Sequence, residues 1–118
     1  MALRQERWTK LDVAVTLEAP RGTHRFDTLF VSPGGLFVPT GKELEPYAQV
    51  TVRFAVEQRP VVAHAEVRRN LTGDGAAARG IQHDGGGVEM RIVRMEGDGS
   101  QILAEHIKKV MMESGGPA

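Results

Sequence analysis

Leu11, Val13, Val15 and Leu17 alternate with Asp12, Ala14, Thr16 and Glu18. A period of two predicts a strand over 11–18 with one wet face. Ala19-Pro20-Arg21-Gly22-Thr23 ends it, because proline has no N–H to give a ladder and glycine accepts a positive φ. A second strand is predicted over 24–31. After Ser32-Pro33-Gly34-Gly35 comes the short apolar run Leu36-Phe37-Val38, then a polar loop to Pro46. Val50, Val52, Phe54 and Val56 alternate again and give a strand over 49–57. Residues 61–69 read as another strand, since Val61, Val62 and Val67 favour the pleat over the helix tendency of Ala63 and Ala65. Residues 70–87 hold six of the fourteen glycines and no clear period, which predicts a long loop with a strand fragment around 78–82. The last strand is 87–95. Val88, Met90 and Ile92 share a side, and Val93 and Met95 also read as buried, which implies a bulge.

From Asp98 the period changes. Ile102, Leu103, His106, Ile107, Val110 and Met111 step by three or four, an apolar helical stripe. Asp98 or Ser100 caps the start, Lys108 and Lys109 suit the negative end, and Gly115-Gly116-Pro117 stops the helix. The expected fold is therefore all-β with one C-terminal helix: a small antiparallel barrel against which the helix buries its stripe. Residues 1–10 read as an N-terminal arm, 11–113 as a single domain and 114–118 as a flexible tail.

The 118 residues suffice for one core. Fifteen Lys and Arg balance fifteen Asp and Glu, whereas a protein that lives on phosphate attraction needs a basic excess. With no cysteine, there is no disulfide scaffold, thiol nucleophile or Cys-ligated metal. No apolar run approaches the roughly 20 residues that span a bilayer, and the charged start is unlike a secretory signal. These features suit a cytoplasmic protein. His24, His64, His83 and His106 lie on different elements without ligand spacing, so no metal site is expected. Gly85-Gly86-Gly87 lacks the Lys-Ser/Thr that would make a phosphate loop, and no nucleophile motif is present. The chain does not read as an enzyme, and no cofactor is expected.

The segment Phe30-Val31-Ser32-Pro33-Gly34-Gly35, followed by Leu36-Phe37-Val38, resembles the signature turn of PilZ domains, Asp/Asn-x-Ser-x-x-Gly. Ser32 and Gly35 match, and Gly34 supplies the second glycine often found there. The later strands and terminal helix follow in the family's order, so the resemblance spans nearly the whole chain. It implies a six-stranded barrel and bacterial regulation, often of motility, type IV pili or exopolysaccharide. It also implies cyclic di-GMP as the ligand of many members. An Arg-x-x-x-Arg pair ahead of the first strand grips that ligand in the family, because guanidinium forks match phosphate oxygens and guanine O6/N7.

The chain departs from this pattern where the ligand is gripped. With Lys10 as the second basic residue, Glu6 stands in place of the first arginine; Arg4 and Arg7 are near but spaced by three. Lysine is a point charge and cannot copy the fork. Phe30 occupies the Asp/Asn position and offers no acceptor. Arg21-Gly22-Thr23-His24-Arg25 satisfies Arg-x-x-x-Arg literally but falls after the first strand, where a solvated hairpin tip is the plainer reading.

The resemblance therefore implies Arg4, Arg7, Lys10, Ser32, Gly34 and Gly35 as ligand-face positions. Trp8, Phe30, Met111 and Met112 are candidates for contact with a protein partner. The leading expectation is a regulatory adaptor that acts through protein contacts, with weak or absent cyclic di-GMP binding. The alternative is a receptor that clamps the dinucleotide with Arg4, Arg7 and Lys10 from the arm. A third class, oligonucleotide binding, would need Arg53, Arg68, Arg69, Arg79, Arg91 and Arg94 on one face, and strand parity turns Arg68 and Arg69 opposite ways. Few aromatics are available for stacking.

Overall fold

The computed structural model describes residues 8–81 and 85–114. The strands are β1 (Thr9–Leu11), β2 (Val15–Ala19), β3 (Gly22–Phe26), β4 (Leu29–Ser32), β5 (Gly35–Pro39), β6 (Gln49–Val56), β7 (Arg59–Leu71) and β8 (Gly87–Met95). A short helix α1 (Gly73–Ala78) precedes β8, and α2 (Gly99–Ser114) follows it. All strand pairings are antiparallel, in one curved sheet of order β1-β4-β5-β8-β7-β6-β2-β3.

The all-β architecture with a terminal helix is as expected, but the strands number eight rather than six. The difference has a local cause. The first two predicted strands form one long hairpin that bends: Leu11 pairs with Leu29, yet the next pair is Val15 with Phe26. Three residues on one strand face two on the other, and the extra residue breaks the ladder and bends the ribbon. The bend sends β2 to β6 at one end of the sheet and β4 to β5 at the other. One covalent ribbon thus joins both ends of the sheet and curls it like a barrel. β1 also takes in Thr9 and Lys10, the last two residues read as arm.

Two further expectations are corrected. Within 70–87 the described residues form helix α1 instead of a strand fragment. Thr72 caps it, its Oγ1 accepting from Gly75 N at 3.1 Å. α2 runs on to Ser114, so Lys108 and Lys109 lie inside it and its last turn holds no basic residue. The bulge implied in the last strand is present at Val93, between the pairs His64–Arg94 and Ala65–Ile92. Val93 itself is exposed.

Inward-facing alternation builds the main core from Leu17, Val31, Leu36, Val52, Ala63, Val67 and Val88, all fully buried. Ile102, Leu103 and Ile107 of α2 join it. Burial of one such aliphatic side chain is worth about 1.5–3 kcal/mol, enough for the stripe to hold the helix on the sheet. Asp98 occupies the N-cap place, its carbonyl accepting from Ile102 N at 2.9 Å. The β6–β7 hairpin turns through Glu57 and Gln58, both left-handed at φ 50° and 70°. Its tip grips the helix: Lys109 Nζ donates to Glu57 Oε1 at 3.0 Å, and Arg59 meets Glu105 at 3.5 Å.

A second, smaller apolar cluster lies on the outer face of the sheet. Phe30, Phe37, Ala76 and Ile81 form it, with Trp8 and Leu71 against its side. It brings α1 down onto β4 and β5.

Candidate ligand face around the 32–35 turn

Strand register lays two rows of side chains across the outer face. One runs Lys10–Phe30–Phe37–Glu89–Arg69, each paired with the next. The other runs Ser32–Gly35–Arg91–Glu66–Gln49. The turn itself is pinned to β8, because Ile92 N donates to the Gly34 carbonyl at 3.1 Å.

Lys10 is exposed and lies 3.7 Å from Asp12. Ser32 is fully buried, its Oγ directed at the Gly35 carbonyl at 3.5 Å. Gly34 is exposed and Gly35 buried. Above Gly35, a Cβ would stand 3.1 Å from the Trp8 indole, 3.2 Å from Ser32 Oγ and 3.3 Å from the Met90 carbonyl. A side chain there would crowd all three, and the atom that comes closest belongs to the protein's own tryptophan.

Phe30 is only 3% exposed. Its ring meets Phe37 edge-on with centroids 5.8 Å apart, under Ala76 and Ile81. This corrects the expectation of a surface contact at Phe30: α1, which the glycine-rich segment concealed, covers it. Trp8 is half-buried against the same cluster. Met111 and Met112 are exposed at 40% and 68%. Arg4 and Arg7 lie outside the described residues, as does His83.

Glu89 and Glu66 belong to no motif in the sequence. Alternation in Val88-Glu89-Met90-Arg91 does mark Glu89 and Arg91 as sharing the outward side. Glu89 is 9% exposed, with Arg79 Nη1 donating to its Oε2 at 3.3 Å. Its Oε1 lies 3.5 Å from Arg69 Nε, an ion-pair distance at which no hydrogen bond forms. Arg91 meets Glu66 at 3.6 Å, and Gln49 donates to the other Glu66 oxygen. Three of the six arginines weighed as a stripe therefore gather on this face, each beside a carboxylate. Arg53 is elsewhere, donating to Glu18 at 2.9 Å. Strand parity does not hold at Arg68, because β7 bulges there, between the pairs Val67–Met90 and Arg69–Glu89. Arg68 and Arg69 are both exposed.

A cavity of about 720 Å³ lies away from the turn, beside the tip of the β2–β3 hairpin. Arg21, His24 and Lys42 line it together with Glu43 and Glu45, a mixed set of charges. Among the described residues no group of three His, Asp or Glu is placed to hold a metal ion. No helix among them is long and apolar enough to cross a membrane.

The family model of the PilZ domain matches residues 2–109. The chain belongs to the PilZ domain family. No curated protein matches the sequence significantly. Among solved structures, this PilZ chain is similar in fold to the Bacillus subtilis inhibitor of motility, MotI/DgrA, with a TM-score of 0.69 and 13% identity. That likeness covers 94% of this chain and 53% of the other, so the present chain spans about half the length of its neighbour.

Proposed function

We propose that this PilZ domain is a non-enzymatic regulatory module in a bacterial cytoplasm, acting through protein contacts and binding cyclic di-GMP weakly or not at all. Phe30 carries the reading. At the turn position where the family places a polar acceptor, the side chain is apolar and locked against Phe37. A guanine edge set there would lose a hydrogen bond to water and find none in return, at a cost of about 1–3 kcal/mol for each buried polar group left unpaired. Trp8 supports the reading, since its indole fills the approach to Gly35 that a ligand would otherwise use. Family membership and the fold of a motility inhibitor favour control of motility or of a related surface behaviour.

One observation favours the second reading, a receptor with atypical ligands. Lys10, Arg69 and Arg91 share the outer face with the turn, and a phosphate would compete for them with their carboxylate neighbours Asp12, Glu89 and Glu66. Calorimetry with cyclic di-GMP at physiological salt separates the two. No heat up to hundreds of micromolar is expected. Low-micromolar binding that disappears in Arg7→Ala would overturn the proposal and establish the second reading.

A further inference from the structure

Strand β8 outlasts one of its neighbours. β5 pairs with it only from Pro39–Gly87 to Gly35–Arg91, and one further bond runs from Ile92 N to the Gly34 carbonyl. β7 stays paired with β8 as far as Met95. Residues 93–95 therefore have a strand on one side and, among the described residues, none on the other.

The ladder fixes the backbone direction at the end of this open edge. Glu96 N donates to the Val62 carbonyl at 3.0 Å, so the Met95 carbonyl, on the same trans peptide unit, points away from β7. Met95 pairs with Ala63 one step inside that bond, and alternate residues of an antiparallel strand direct their N–H and C=O to opposite sides. Met95 thus turns both its donor and its acceptor toward the vacant lane.

The lane opens onto an apolar groove of about 520 Å³. Ile92 and Met95 line it from β8, Leu103, Ile107 and Met111 from α2, and Pro33 from the signature turn. Three of the four large apolar side chains exposed among the described residues belong to its edge strand or its helix wall: Val93, Met111 and Met112. We infer that this groove takes an extended apolar segment of a partner protein, added to β8 as a further strand alongside α2. The inference deepens the protein-contact reading and rests on it.

Two features select an extended occupant. A row of unpaired N–H and C=O groups is a template for another strand, whereas a helix laid in the same lane would satisfy its own backbone and leave the Met95 groups covered and unpaired. The dimensions agree. The lining stretch of α2, residues 100–112, is about 18 Å long at 1.5 Å per residue, which about five residues of extended chain would span. Alternate side chains of such a segment face the helix wall, so apolar residues are needed at every second place.

A second copy fits the lane poorly. Two β8 edges paired antiparallel about Arg94 would set Gly97 of each copy against Arg91 of the other, a place that Gly35 already holds.

The test uses the full chain and a pool of labelled peptides of about seven residues, with Val, Ile, Leu or Phe at every second place and threonine between. Fluorescence anisotropy should show saturable binding. A scan of the best binder that methylates one backbone nitrogen at a time should alternate, with affinity about two- to tenfold weaker at every second place and little changed between. The Met95 amide should exchange with solvent about tenfold more slowly when peptide is bound. Ala104→Arg, an exposed change in the groove wall to a good helix former, should abolish binding with the thermal melt intact. Met111→Asn repeats that test should the arginine variant melt early. No binding at about 1 mM peptide, a flat methylation scan, or a Met95 amide that exchanges as before would overturn the inference. So would tighter binding of a stapled helix with the same apolar residues, or self-association in sedimentation velocity that Ala104→Arg removes. Absence of peptide binding while calorimetry with cyclic di-GMP stays silent strikes this inference alone and leaves the protein-contact reading standing. Tight cyclic di-GMP binding with peptide binding preserved defeats only the weak-ligand reading.

Discussion

The Trp8 indole stands 3.1 Å from where a Cβ on Gly35 would lie, so the N-terminal tryptophan is fitted to the absence of a side chain in the signature turn. Ser32 Oγ and the Met90 carbonyl close the same space at 3.2 and 3.3 Å. Gly35→Ala is expected to cost about 1–3 kcal/mol, the range for overpacking a filled site. Trp8 is the only tryptophan, so its emission in the native state should shift with the urea midpoint. An alanine variant with unchanged emission and stability would show that Trp8 does not sit there.

Phe30 belongs to the stability of the outer cluster. Phe30→Ala should cost about 3–5 kcal/mol, as truncation of a buried aromatic does. Phe30→Asp should cost more, because it buries an unpaired carboxylate. Thermal melts of both variants, alongside Phe30→Leu, provide the measurement. Loss of a partner in Phe30→Asp would therefore report unfolding of the cluster rather than a lost contact.

Glu89 ties α1 to the sheet through Arg79 and stands beside Arg69. Both arginines are partly exposed and can rehydrate, so Glu89→Gln should cost only about 1 kcal/mol globally. The local effect should be larger. Amides over 76–81 are expected to exchange faster in the variant while those of β6 and β7 keep their protection.

The grip on α2 depends on pH at both extremes. Lys109 donates to Glu57 and holds that carboxyl below the usual glutamate range, while Glu57 raises Lys109 above the usual lysine value. The depressed carboxyl contributes stability that is complete above the ordinary glutamate pKa and is lost as pH falls through its folded value. The raised ammonium contributes fully below the ordinary lysine pKa and is lost as pH rises through its folded value. A hydrogen bond from His64 lowers Glu96 as well, adding to the acid-side loss. Glu57→Gln should lower the melting temperature slightly near pH 7, and by less at an acidic pH below the folded value of that carboxyl, where the glutamate is protonated in both states. An equal difference at both pH values would exclude the ion pair as its cause.

Much of the fold is legible in local pattern. The alternation of Val50, Val52, Phe54 and Val56 reports a face buried against the core, and the three-and-four spacing of Ile102, Leu103 and Ile107 reports a helix laid on it. Each signal repeats within a few residues, so no distant contact is needed to read it. Splitting of the first two strands was hidden, because Val13 continues the alternation through the bend. Helix α1 was hidden too. Glycines flank its alanines, and only Thr72 as cap and packing of Ala76 against the phenylalanines make the helix worth forming.

The candidate site divides in the same way. Sequence by itself determined the turn Ser32-Pro33-Gly34-Gly35, the apolar residue in place of an acceptor and the lack of a net charge, since these are properties of residue types and their order. Only the tertiary structure decided that Phe30 is covered, that Glu89 and Glu66 stand beside the arginines, and that Pro33, Met111 and Met112 line one groove. Those relationships join residues dozens of positions apart, and strand register and helix docking, which no short stretch of chain encodes, set which of them meet.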